Sequence, residues 1–81
     1  MKRDEMFSAL TSNLKAEIKE LDGTTIRETD DPRELWVNSL QIMEAITQTM
    51  DQLGIKVPRE DLLQARDLGD VLDLFERSAG R

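Results

Sequence analysis

Apolar residues recur at intervals of three and four along most of this chain, and nothing longer than residues 55–57 reads as a strand. Over residues 4–21 the positions are Phe7, Leu10, Leu14, Ile18 and Leu21, with Lys15, Glu17, Lys19 and Glu20 taking the other side. Positions three and four apart stack on one face of a helix, so this spacing predicts a first helix with a single apolar stripe. Asp22 and Gly23 close it, since glycine accepts the left-handed backbone that follows a helix end. A second helix is predicted from Asn38 and Ser39 to Leu53, carrying Ile42, Met43, Ile46, Met50 and Leu53 on one face and stopping at Gly54. Asn38 or Ser39 can cap it, with Gln41 placed as in a capping box. Residues 59–65 read as a short helix with Leu62 and Leu63 facing in. Asp67 caps a last helix built on Leu68, Val71, Leu72 and Phe75, after which residues 78–81 are expected to fray. The expected fold is therefore all-α: one domain over residues 1–81, with three main helices, one short helix and a long first loop.

That loop, residues 24–37, has no sustained period and contains Asp30-Asp31-Pro32. Ile26, Leu35 and Trp36 are its candidates for pinning to the core, and its length is of the kind that tends to be functional. Trp36 also reads as a contact beside the site or an anchor for a partner, because Trp is enriched at interface hot spots. Met43 and Met50 are expected on the core face, packing around whatever enters between the helices.

Composition narrows the chemistry. The 81 residues include no Cys and no His, which removes the imidazole base, the thiolate nucleophile and the ordinary zinc site. The formal net charge is -6, from 17 acids against 11 bases, which argues against nucleic acid, where Lys and Arg supply most of the affinity. Neither a leader nor a membrane span is read at the charged start, so the expectation is a cytoplasmic monomer that meets other proteins. Carboxylate pairs such as Asp30 and Asp31 have no organised base beside them, so catalysis by the chain alone is not expected.

A serine that opens a helix is first of all a cap, and Asn38-Ser39-Leu40 alone says no more than that. Its surroundings say more. Pro58 lies nineteen positions after Ser39, within Leu53-Gly54-Ile55-Lys56-Val57-Pro58, and Leu68 lies ten further on, in Asp67-Leu68-Gly69-Asp70-Val71. With those spacings the chain resembles the acyl carrier protein family over essentially its whole length. The resemblance implies a small four-helix carrier bundle and a 4'-phosphopantetheine arm esterified to Ser39. The arm would hold an acyl group as a thioester and supply the sulfur that the sequence lacks. Two positions depart from the family pattern: Asn38 replaces its Asp, and Trp36 replaces a small residue. A helical interaction module with the same fold and no arm is the alternative that Asn38 motivates.

The resemblance also implies partners: a phosphopantetheinyl transferase to attach the arm, then an acyltransferase, a ketosynthase or a hydroxymethylglutaryl-CoA synthase-like enzyme. Asn38, Leu40, Trp36, Glu44 and Asp51 are the residues expected to be read by them. Carriers of fatty acid synthesis resemble one another in a densely acidic second helix, whereas here that helix has only Glu44 and Asp51. Gln41, Thr47, Gln48, Thr49 and Gln52 stand there as solvated polar positions, so charge steering should be weaker and a housekeeping fatty-acid role is the lesser reading. The segments around Val57-Pro58-Arg59 and Ala65-Arg66-Asp67 look most like discrete carriers of polyketide clusters, in particular those that donate acetyl for β-branching.

Overall fold

The computed structural model describes residues 2–31 and 39–79. The expected contacts of Leu35, Trp36 and Asn38 lie outside these residues. Four α-helices are present, α1 (Arg3–Glu17), α2 (Ser39–Leu53), α3 (Arg59–Leu63) and α4 (Leu68–Ala79), with a 3₁₀ turn at Lys19–Leu21 and no strand among the described residues. Their apolar faces meet in one core of Met6, Leu10, Leu14, Ile42, Ala45, Ile46, Leu68, Val71, Leu72 and Phe75, with Ile18, Leu21, Ile26, Ile55 and Leu62 closing its edges. α1 packs mainly on α2 and also on α4, while the short α3 leans on α4.

The first helix ends earlier than its apolar stripe predicts. Ile18 leaves the helix in an extended conformation (φ -118°, ψ 96°), and Lys19–Leu21 form a separate tight turn closed by Gly23 at φ 83°. Ile18 and Leu21 still reach the core, so the turn continues the stripe by another route. Gln41 explains part of the break: its Nε2 donates to the Glu17 carbonyl at 3.1 Å, satisfying an acceptor that a helix end leaves open. At the other end Met6 is fully buried and Phe7 only partly, a shift of one position in the predicted stripe.

α2 stops as expected. Gly54 adopts φ 69°, and the Ile55 N–H reaches back to the Met50 carbonyl at 3.0 Å, the six-residue bond of a Schellman ending. Thr49, read from sequence as a solvated position, is completely buried. Its hydroxyl donates to the Ala45 carbonyl at 2.7 Å and accepts from Asn13 Nδ2 at 2.8 Å, which is what makes a buried hydroxyl tolerable.

α4 has the predicted cap. Asp67 Oδ1 accepts from the Asp70 N–H at 2.9 Å, and Asp70 Oδ2 in turn accepts from the Arg66 N–H at 2.9 Å. The helix does not fray at Ser78 and Ala79: it runs to Ala79, and the Ser78 hydroxyl donates to the Lys56 carbonyl at 2.9 Å, tying the last turn to the connector before α3.

The loop after the 3₁₀ turn is held by more than Ile26. The Glu28 and Asp30 carbonyls accept from the Gly69 and Leu68 N–H groups at 2.8 and 3.2 Å, two donors that the start of α4 would otherwise leave open. Arg3, at the start of α1, closes over this junction. Its guanidinium contacts Glu28 Oε1 at 2.8 Å, Asp73 Oδ1 at 2.7 Å, Glu76 Oε1 and the Gly69 carbonyl at 3.1 Å. These bonds, to Glu28 first and then to Asp73 and Glu76, hold its pKa well above the ordinary value for arginine.

Candidate functional site

Ser39 is the first residue of α2, where backbone N–H groups lack intrahelical acceptors and the helix dipole presents its positive end. α2 differs from the other α-helices in one respect that bears on an anion. Its first turn holds no acidic residue, whereas α1 begins with Asp4 and Glu5, α3 with Glu60 and Asp61, and α4 with Asp70. The positive end of α2 is therefore left without a carboxylate of its own, a favourable place for a phosphate.

A cleft of about 220 Å³ opens beside this end of α2. Leu40, Ile42, Met43 and Ile46 form its α2 wall, Leu62 and Leu63 its α3 wall, and Val71 its base on α4. Leu40 and Leu63 stand at 65% and 59% exposure, the large apolar side chains most open to solvent among the described residues. A wall of leucine and isoleucine gains by excluding water, and so suits an apolar chain or an apolar side chain of a partner. Arg59 and Asp67 also line the cleft and add one cation and one carboxylate to a lining that is otherwise apolar.

Of the residues expected at the site, Leu40 lines this cleft, and Ser39 precedes it in the chain as the first residue of α2. Glu44 and Asp51 are exposed on α2, seven positions apart and thus on one face of it. Asn38 and Trp36 lie outside the described residues. Leu63 is a correction: expected to face in, it faces solvent, while Leu62 beside it is 5% exposed. Adjacent residues on a helix point about 100° apart, and the short α3 leans on α4 by one side, which takes Leu62 into the core and leaves Leu63 outside. The Leu62-Leu63 pair alone carries no signal of this, since adjacent helical residues can both be buried, as Val71 and Leu72 are. Met43 and Met50 are half-buried against the core, as expected. Among the described residues no helix is long and apolar enough to cross a membrane, and no cluster of three or more His, Cys, Asp or Glu is arranged to hold a metal ion.

Known proteins resemble this chain in sequence and in fold. Residues 12–75 match the family model described as the phosphopantetheine attachment site. The polyketide biosynthesis acyl-carrier-protein AcpK of Bacillus subtilis is 28% identical over 75 residues, covering 93% of this chain and 92% of its own. An acyl carrier protein of Rhodococcus erythropolis is 39% identical over 44 residues, 54% of this chain and 48% of its own. Among solved structures, a chain in the crystal structure of the curacin biosynthetic pathway HMG synthase in complex with acetyl donor-ACP superposes with a TM-score of 0.82. It is 25% identical, and the match covers 98% of this chain and 99% of that one. The family match spans most of the chain and includes the start of α2: this protein belongs to the phosphopantetheine attachment site family and is an acyl carrier, not an enzyme.

Proposed function

We propose that Ser39 carries the 4'-phosphopantetheine arm and that the chain is a donor carrier in polyketide biosynthesis, handing acetyl to a hydroxymethylglutaryl-CoA synthase-like enzyme. The observation that carries the assignment of Ser39 is its place at the N-terminus of α2, the helix whose first turn has no acid, next in the chain to Leu40, which lines a largely apolar cleft. The positive end of the helix dipole there favours a phosphodiester by about 0.3–1 kcal/mol, enough to orient the arm though not to hold it without the covalent bond. When bound, phosphopantetheine supplies the terminal thiol on which an acyl group is carried, in a chain that has no Cys. The residues of this chain do the rest: α2 presents the arm, Leu40 and Leu63 offer an apolar landing for the partner, and the cleft shields apolar atoms from water.

The acetyl role is supported by the likeness, nearly end to end, to a chain from the HMG synthase complex with acetyl donor-ACP and to AcpK. A sparsely charged α2, with Glu44 and Asp51 alone, fits docking led by apolar contact more than by steering. Attachment of the arm requires a phosphopantetheinyl transferase, and we place the carrier in the cytoplasm as a monomer. The test is transfer of acetyl from the loaded carrier to an HMG synthase-family enzyme. Acetylation of the enzyme by wild-type protein and none by Ser39→Ala is the expected result. Equal acetyl transfer from a malonyl- or long-chain-loading fatty-acid carrier under the same conditions would remove the donor assignment.

A further inference from the structure

The three elements joined by Arg3 form a closed ring of polar contacts. Arg3 donates to the Gly69 carbonyl at 3.1 Å, the Gly69 N–H donates to the Glu28 carbonyl at 2.8 Å, and the Glu28 carboxylate accepts from Arg3 Nε and a terminal nitrogen at 3.1 and 2.8 Å. Each contact holds the other two in register, because the same two residues supply both backbone and side-chain partners to one guanidinium. Asp73 and Glu76, one turn apart on α4, fix the remaining nitrogen of Arg3. Gly69 stands at the centre of the ring, where a side chain would press on the Asp67 cap. A Cβ there would lie 3.2 Å from Asp67 Oδ1, 3.5 Å from the Glu28 carbonyl and 3.7 Å from the Arg3 nitrogen.

The ring sits at an edge of the core. Arg3, Glu28, Asp73 and Glu76 keep between 30% and 57% of their side-chain surface in solvent. Salt therefore reaches these ion pairs, while core residues such as Leu10, Leu14, Leu72 and Phe75 are closed to water. The loop side of the junction contributes one core residue, Ile26, so few apolar contacts resist its separation from α4.

We propose that Arg3 is a salt-sensitive clasp that locks residues 22–31 onto the start of α4, and that this junction opens as a unit while the helical core stays closed. Asp31 is eight positions before Ser39, so the clasp fixes one end of the connection that leads into α2. The inference stands on this network alone and holds whether or not Ser39 carries an arm. A lysine at position 3 would keep the charge and lose the fork that touches Glu28, Gly69 and α4 together.

Amide hydrogen exchange of the folded chain tests it. In Arg3→Gln, the Gly69 and Leu68 amides should exchange about tenfold faster or more, with Leu14 and Leu72 unchanged, as expected of a local opening. Wild-type protein in about 1 M salt, where screening acts within about 3 Å, should show the same local acceleration, and Arg3→Gln should show no further one. Glu28→Gln, which leaves Arg3 on Asp73 and Glu76, should accelerate the same two amides if Arg3→Gln does not fold, and Arg3→Lys should fall between wild type and Arg3→Gln. Unchanged exchange at Gly69 and Leu68 in both neutralised variants overturns the proposal. So does acceleration that rises equally at Leu14 and Leu72, which would make the network a support of the whole fold.

Discussion

Replacing Leu62 and Leu63 with alanine, one at a time, sets neighbouring residues against each other. Leu62 is 5% exposed in the core and Leu63 59% exposed at the mouth of the cleft. A buried Leu→Ala change costs about 2–5 kcal/mol through lost transfer energy and the cavity left behind. In a domain of this size that corresponds to a fall in Tm of about 10 °C or more. Leu63→Ala removes a side chain with little left to lose on folding, so the Tm should move by no more than about 2 °C. Binding should report the opposite order. Full burial of a leucine is worth about 1.5–3 kcal/mol, so covering the exposed part of Leu63 contributes about 1–2 kcal/mol, or roughly 5- to 30-fold in Kd. Thermal unfolding by circular dichroism and calorimetric titration with an HMG synthase-family enzyme read the two effects separately. Equal destabilisation by the two variants, or wild-type affinity in folded Leu63→Ala, would refute the division of labour drawn from the cleft.

Other expectations follow from the same contacts. Thr49→Val keeps the shape and leaves Asn13 Nδ2 with Gln52 Oε1 alone at 3.0 Å, so stability should drop by about 1 kcal/mol in denaturant titration. Asp67→Ala removes the cap of α4 and should cost about 0.5–2 kcal/mol, with Asp67→Asn or Asp67→Ser losing much less. Glu44→Gln, on the exposed face of α2, should slow association with a basic partner and flatten its salt dependence while leaving Tm unchanged, a split that stopped-flow mixing at two ionic strengths measures.

Periodicity made the four helices and most of the core legible, because Leu10, Leu14, Ile42, Ile46, Val71, Leu72 and Phe75 obey helical spacing and bury as they should. Gly54 and Asp67 were legible for the same kind of reason, each answering a local backbone need. The misreadings arose where a distant residue decides. Ile18 leaves the helix although the stripe continues, and the Glu17 carbonyl accepts instead from Gln41 Nε2 on another helix. Thr49 looks like a surface residue until Asn13 arrives from α1. Arg3 looks like part of a charged terminus, yet Glu28, Asp73 and Glu76 converge on it from positions 25 to 73 residues away, a pattern no local window contains. At the site, Ser39 and Leu40 stood out by spacing and motif, while the cleft and Leu63 emerge only once α3 is set against α2.

The central claim is that Ser39 bears the arm, and peptide-level mass spectrometry tests it most directly. After incubation with coenzyme A and a broad-specificity phosphopantetheinyl transferase, tryptic cleavage after Arg33 and Lys56 releases residues 34–56, in which the hydroxyl groups are those of Ser39, Thr47 and Thr49. The account predicts one phosphopantetheine added to that peptide, fragment ions placing it on Ser39, and no addition in Ser39→Ala. An unmodified peptide, or a mass that persists in Ser39→Ala, would contradict it.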